Sequence, residues 1–394
     1  MGQLADAAIA GVYQTKQGDL SEQTQPATWW ESVRGACTDA GLDVGDIDGL
    51  IGTGPNGVGL RDGMPAAGVA ELLGHPIRFY ASSNVGAAST AAGLNLAAYA
   101  VSHGLAEVVV IGNAVAGRGE GYASASRDAA VAAMAKLSGP YEYVYGTTRI
   151  ADYATLAMRH FYEYGTTSEQ LAEVAVAERH GATLHPLSVH GHRGDITVED
   201  VISSRMISDP LHLLDCCSVN QGGGAIVVTR ADSVRSIGRH APVALLGYGE
   251  GHSHIDPNAA ESLTEFPAAK IASDTAFGMA GVSRDDINVA GISDHFTIGV
   301  VTGLEDAGFC KKGEGGAFVD KGGTSLTGRL PTNTSGGFLS FSHAGSCGIF
   351  TLIELVDQLR GDADGRQVQD ASLAFLGGVG GADQAFCSAI LGRV

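Results

Sequence analysis

Apolar and polar positions along the 394-residue chain fall into two periods. Short runs in which nearly every residue is apolar predict buried strands at Ala7–Tyr13, Ile47–Gly52, Ala106–Asn113 and Gly224–Thr229, then at Val243–Tyr248, Val289–Ile292, Ala371–Leu376 and Ala385–Leu391. Longer stretches with helical spacing, at Ala27–Ala40, Ser89–His103, Pro267–Met279 and Gly348–Arg360, predict helices between them. Strands and helices in alternation, without a low-complexity linker, specify an α/β architecture.

The pattern also repeats. "AGLDVGDIDGL" (Ala40–Leu50) and "AGVSRDDINVA" (Ala280–Ala290) share Ala-Gly-aliphatic and then Asp-Ile at a constant offset of 240 residues. Each ends a helix on glycine and enters a strand, so the chain reads as two versions of one βαβ-rich unit. The two halves are expected to superpose as five-stranded units, residues 1–240 and 241–394, with two central helices packed between their sheets. The first half is longer by an insertion at about 116–210, whose aromatic and polar segments suit a substrate-covering lid.

Composition narrows the functional classes. With 44% hydrophobic residues the chain can bury a large core, and its formal charge of −19 argues against nucleic acid or an anionic membrane as partner. No apolar run approaches the length of a membrane span, and the first residues lack a basic leader, so a cytosolic protein is expected. The six cysteines, Cys37, Cys216, Cys217, Cys310, Cys347 and Cys387, have no zinc-type spacing and read as free thiols. Cys216 and Cys217, just before a glycine run into a strand, read as structural. The histidines of "HSHID" and "HPLSVHGHRGD" lack a third ligand at a defined spacing, so no metal site is expected. A Gly-x-Gly-x-x-Gly run at Gly52–Gly57 is interrupted by Pro55 and does not open a helix as dinucleotide binding requires.

Candidate chemistry starts from "SSNVGAAST", residues 82–90, a turn of small residues that opens a helix between two strands. Unpaired N–H groups and a partial positive charge make such a turn a cradle for a nucleophile. This one contains no cysteine. The second central helix starts near His343, and in two pseudo-symmetric halves both helix N-termini would converge on one site.

At these residues the chain resembles a known family. "YGTTSEQLAEVAVAERHGA", "SRMISDPLHLLDCC", "DHFTIGVVTGLEDAGFCKKGEGGAFV", "GRLPTNTSGG" and "QLRG", spread over most of the chain, are similar to the thiolase superfamily in its sterol-carrier-protein type. The resemblance implies a thiolase fold, a five-layer αβαβα sandwich of two βαβ-rich halves with a loop domain inserted in the first. The thiolase nucleophile motif, Cys-x-Ser-Gly, falls on Ala87, Ala88, Ser89 and Thr90. The second thiolase cysteine, in Cys-x-Gly, falls on Phe375 of "FLGGVGG". The Gly-His-Pro motif, which supplies an oxyanion-binding histidine, falls on Ser342, His343 and Ala344.

A chain that keeps the oxyanion binder and lacks both cysteines resembles the steroid side-chain-cleaving aldolases of this superfamily. Their Tyr-Asp-x-Phe segment falls on Ser293, Asp294, His295 and Phe296, and their second tyrosine falls near Cys347, so both tyrosines are replaced. The resemblance implies His343 for oxyanion stabilisation and His295, Asp294 or Cys347 for proton transfer, with Ala87, Ser89, Ser293, Gly345 and Gly378 against the substrate. The expected reaction is retro-aldol cleavage of a β-hydroxyacyl-CoA, releasing a short acyl-CoA and a ketone or aldehyde. Two alternatives stay open: a thiolase or acyltransferase using Cys347 beside His343, and a non-catalytic acyl-CoA-binding subunit. The family also implies a homodimer and a small zinc-ribbon and OB-fold partner protein, together a heterotetramer. No cofactor beyond the coenzyme A thioester substrate is expected.

Overall fold

In the computed structural model, which describes residues 6–53, 65–118, 148–254 and 257–394, the first half runs β1 (Ala7–Gln14), α1 (Gln25–Ala40), β2 (Gly49–Thr53), α2 (Pro65–Leu73), β3 (Phe79–Ser83), α3 (Ser89–Ser102) and β4 (Val109–Val115). Next come α4 (Arg149–Tyr164), α5 (Ser168–Thr183), α6 (Val198–Ile202), a short hairpin of β5 (Met206–Ser208) and β6 (Leu211–His212), β7 (Gly222–Arg230) and α7 (Ala231–Ile237). The second half runs β8 (Val243–His252), α8 (Pro267–Ala280), β9 (Val289–Ile292), α9 (Thr297–Asp306), α10 (Gly315–Val319), α11 (Gly348–Arg360), β10 (Leu373–Gly380) and β11 (Ala385–Arg393). The Gly-x-Gly run from residue 54 onward and part of the insertion, 119–147, lie outside the described residues. Among the described residues no helix is long and apolar enough to cross a membrane.

The echoed segments fold alike. Helices α1 and α8 both end on a left-handed glycine, Gly41 and Gly281, each at φ 70°. Each then enters a single 3-10 turn, Val44–Asp46 or Arg284–Asp286, closed by a reciprocal side-chain cap between Asp43 and Asp46 or between Ser283 and Asp286. The next polar residue ties down a neighbouring strand in both halves. Asp48 accepts from the N–H groups of Glu107 and Val108, and Asn288 accepts from those of Ser372 and Leu373.

Strand order is β3-β2-β4-β7-β1-β8-β11-β10-β9. In the first half β2 lies parallel to β3 and β4, while β4, β7 and β1 pair antiparallel. The second half repeats the scheme, with β9 parallel to β10 and antiparallel pairs through β11 to β8. Two residue pairs, Ala8 with Ala244 and Ile9 with Val243, stitch the halves together. The expected fifth strand of the second half is reduced to a single parallel bridge, Ala290 to Thr332. Its place is held by a side chain: Asn333 accepts from the Ile292 N–H and donates to the Ile292 carbonyl, as a neighbouring strand would.

Helices α3 and α11 both touch strands of both halves, whereas α1 covers β1, β7 and β4 and α8 covers β8 and β11 from outside. This is the five-layer αβαβα order. The insertion, where described, is not a free-standing lid. Tyr153 of α4 packs on Phe296 at 4.7 Å between ring centroids, and α5 joins the same apolar cluster as α8 and α9.

Each outer helix sits directly on a glycine. A Cβ at Gly11 would lie 2.1 Å from the Ala36 carbonyl of α1, and one at Gly247 would lie 2.1 Å from the Ala276 carbonyl of α8. Gly247→Ala is therefore expected to destabilise by about 1–3 kcal/mol, as overpacking does. Gly278→Ala, on the exposed side of the same helix with nothing within 4 Å of the added methyl, should gain about 0.5–1 kcal/mol in helix propensity. Urea denaturation compares the two, and equal midpoints would refute this account of the helix–sheet contact.

Candidate functional site

The site is assembled around the loop after β9. Asp294 there is fully buried, and its Oδ2 accepts from the backbone N–H groups of Phe338 and Leu339 at 2.5 and 2.9 Å. Glu178 of α5 lies against it and accepts from Asn333 Nδ2 at 2.8 Å. Burial pushes the Asp294 carboxyl up to about 6 and the Glu178 carboxyl well above the usual range, Asp294 adding to the shift of Glu178. Such a pair is stable when it shares a proton. Gly337, at φ 57°, leaves the room: a Cβ there would lie 2.3 Å from Asp294 Oδ2. The knot fixes the start of residues 337–347, which lead to α11.

That segment delivers His343. Its backbone N–H donates to Asn220 Oδ1 at 2.7 Å, and Asn220 Nδ2 donates to Ser342 Oγ. Further along, Asn113 of β4 donates to the Ala344 carbonyl and accepts from the Ser346 N–H, so the first half holds the loop of the second. Gly345, at φ 60°, lies so close to Asn113 that a Cβ would meet Oδ1 at 2.5 Å.

His295, His343 and Cys347 come together. One ligand-capable atom from each lies within 4.8 Å of the others. The imidazoles of His295 and His343 meet edge to face at 5.1 Å, with Phe338 against both. The buried Nδ1 atoms of both rings have no hydrogen-bond partner. Burial pushes His343 down to about 4, and burial together with His343 and Arg149 pushes His295 down to about 3, so both rings are neutral near pH 7. Burial raises the Cys347 thiol well above its ordinary range, Cys217 and Asp294 adding to it, and keeps the proton on sulfur.

The remaining candidates lie around the turn at Ala87. Ala87 and Cys347 occupy related turns: Gly86 and Gly345, both at φ 60°, each stand three residues before a central helix. By this relation Ala87 matches Ser346, and Cys347 matches Ala88. Ala87, Ser293 and Gly378 line one narrow crevice with no room for a water molecule. Ser293 Oγ accepts from the Val379 N–H, and Ser89 Oγ accepts from the Val85 N–H, so both hydroxyls are engaged within the protein. A Cβ at Gly378 would meet Ala88 Cα at 2.7 Å.

Phe375 is not at the site. It stacks on Phe277 of α8 at 5.8 Å in the outer core, because alternation along β10 turns its side chain to the face opposite Leu376 and Gly378. The β10 residue that faces the turn at Ala87 is Gly378, whereas a Cβ at Gly377 would meet Phe386 and Phe375 in the outer core. Asn220, Asn113 and Cys217 frame the site without a sequence signal that marks them. Cys217, read from sequence as structural, donates its backbone N–H to the His295 carbonyl and adds electrostatically to the shift of Cys347.

Comparison with known proteins places this geometry in context. Residues 249–393 match the thiolase C-terminal domain-like family. The chain is 33% identical to an acetyl-CoA acetyltransferase of Methanothermobacter thermautotrophicus, covering 96% of this chain and 97% of the relative. It is also 33% identical to a steroid side-chain-cleaving aldolase of Thermomonospora curvata, covering 89% and 90%. The solved Ltp2-ChsH2(DUF35) aldolase is similar over 99% of this chain and 98% of that one, with 31% identity and a TM-score of 0.86. The five-layer architecture is thus that of the thiolase fold.

The buried Asp294–Glu178 pair makes stability depend on pH. Both carboxyls hold a proton more tightly in the folded chain than in the unfolded one. Their contribution is therefore complete below the unfolded carboxyl range, about pH 4, and is lost as pH rises through about 6 for Asp294. Asp294→Asn keeps an acceptor for the Phe338 and Leu339 N–H groups and removes the charge. It should flatten the loss of stability between about pH 4 and 6 in urea unfolding. A slope identical to that of the unaltered protein would contradict the shared proton.

Proposed function

The chain belongs to the thiolase superfamily, in its sterol-carrier-protein-type branch, and from that premise we propose that it is an acyl-CoA carbon–carbon lyase working by retro-aldol cleavage. The observation that carries the reading is the placement of two neutral imidazoles and a protonated thiol around one point, while Ala87 and the glycines of β10 stand at the mouth of the first central helix. Such a site can hold an enolate and move a proton. It offers no thiolate at the first central helix, where the thiolase nucleophile motif falls. The identity to a steroid side-chain-cleaving aldolase over most of both chains supports the same reaction class.

In the proposed reaction His295 accepts the proton of the substrate β-hydroxyl as the Cα–Cβ bond breaks. The β-carbon leaves as a ketone or aldehyde, and the bonding electron pair passes into the thioester as an enolate. His343 donates a hydrogen bond to the enolate oxygen. Return of the proton to Cα, through Cys347 or from His295 itself, gives the shortened acyl-CoA. Asp294 acts at one remove, holding the 337–347 segment through Phe338 and Leu339. The chemistry draws on the chain's own groups and the thioester, without a cofactor.

A homodimer through β3 fits its position as the edge strand, hydrogen-bonded to β2. A second, smaller partner protein is supported by the two-component aldolase to which the chain is similar, and a zinc-ribbon and OB-fold protein is the partner we propose. The second reading, acyl transfer through Cys347, is favoured by the identity to an acetyltransferase and by the imidazoles beside the thiol.

Supplying a β-hydroxyacyl-CoA, and separately a β-ketoacyl-CoA with free CoA, distinguishes the two. Cleavage of the hydroxy substrate without free CoA is expected, and His343→Ala should lower it a hundred- to a thousandfold, about 2.7–4 kcal/mol in the transition state. Cys347→Ser should retain measurable cleavage. Turnover of the keto substrate alone, with an acyl adduct on Cys347, would move the assignment to acyl transfer.

Because burial keeps His295 neutral down to about pH 3 and His343 down to about pH 4, the acid limb of kcat/KM should lie below about pH 5 rather than near the ordinary imidazole value of about 6.5. A limb centred between pH 6 and 7 in the unaltered enzyme, abolished in His295→Ala, would show that the ring titrates as if exposed.

A further inference from the structure

We propose that His295, His343 and Cys347 form a binding site for one zinc-class divalent ion, and that an ion held there shuts out the acyl thioester. The second clause rests on the lyase reading; the first does not.

The cluster supplies three of the four ligands that tetrahedral zinc takes. One ligand-capable atom from each residue lies within 4.8 Å of the others. Tetrahedral zinc, with Zn–N of about 2.0–2.1 Å and Zn–S of about 2.3 Å, sets its ligand atoms about 3.3–3.8 Å apart. Closing the cluster by about 1 Å, within the rotation of two side chains, therefore suffices. Both imidazoles carry a buried nitrogen without a protein partner, and no carboxylate competes for either ring among the hydrogen bonds of the described residues. Two imidazoles with one thiolate select zinc and its neighbours over magnesium or calcium, which prefer oxygen.

The supporting framework is rigid. Loop residues 343–347 are held by Asn220 and Asn113, and His295 is fixed by the Cys217 N–H on its carbonyl and by Phe338 against its ring. Binding exchanges the thiol proton for the ion: the Cys347 S–H bond breaks, a Zn–S bond forms, and one proton leaves to solvent. The ion then occupies the imidazole lone pair that would take the hydroxyl proton and the position from which His343 would reach the enolate oxygen. Zinc and thioester therefore compete.

The test uses the full chain, stripped with a chelator and reloaded with one equivalent of zinc. X-ray absorption should read one sulfur and two imidazole neighbours. Cobalt in its place should give the near-ultraviolet thiolate band and the visible spectrum of a tetrahedral ion. Cys347→Ser should remove the thiolate band, and His295→Ala should weaken retention roughly tenfold or more. Failure to hold one equivalent, or a shell of nitrogen and oxygen alone in the unaltered protein, would overturn the site without recourse to any variant. Stoichiometric zinc should also abolish cleavage reversibly, and undiminished cleavage by protein whose zinc shell has been verified would overturn the exclusion. A chain that binds the ion but never cleaves the hydroxy substrate would sink the lyase reading and leave the metal site standing.

Discussion

The site depends on a carboxyl that the fold has buried beneath two backbone N–H groups. Asp294 stands at the end of β9, and its Oδ2 holds Phe338 and Leu339 in place. Through Glu178 and Asn333 the same knot reaches α5 of the insertion and substitutes for a missing strand at the edge of β9. A buried polar group left without partners is costly, so each member constrains the others. His343, Cys347 and the start of α11 inherit their positions from this arrangement.

Close approach of backbones is the second constraint. The two central helices share one layer between the sheets, and their opening turns meet the end of β10 glycine against alanine. A Cβ at Gly348 would lie 2.4 Å from the Ala87 carbonyl, and one at Gly380 would lie 2.6 Å from the Val85 carbonyl. Packing this tight leaves the turn at Ala87 sterically closed on the side of β10. Polar side chains that can act are therefore gathered on the other turn, where the loop of the second half is pinned to Asn113 of the first. The site belongs to neither half alone.

Burial then decides the chemistry of what is gathered. In water His295 and His343 would titrate close to neutrality; enclosed together, both are held neutral, and Cys347 is held as a thiol. Neutral imidazoles can accept a proton or donate a hydrogen bond without first losing a charge. They also offer lone pairs to a soft metal ion. Neutrality of the two rings is thus common to the proposed proton chemistry and to the proposed zinc site.

Local sequence was enough to fix what is local. Helix ends at Gly41 and Gly281, the side-chain caps at Asp43 and Ser283 and the strands that follow are each specified within a few residues, so the two-half plan was legible from the repeat. The motif at His343 and the segment Ser293–Phe296 were legible through the family resemblance. Three features were not. The fifth strand of the second half shrank to a bridge because Asn333, distant in sequence, supplies the hydrogen bonds a strand would. Phe375 was placed at the site by motif alone, but alternation along β10 turns it into the outer core and leaves Gly378 against the turn at Ala87. Asn113, Asn220 and Cys217 look like ordinary strand and turn residues in sequence, since nothing within a few positions of them carries their partners. Sequence by itself determined the elements and the residue types available for chemistry. Which of them meet, and in what charge state, was decided by tertiary structure, because desolvation and contacts across 100 residues or more exist only once the two halves have closed.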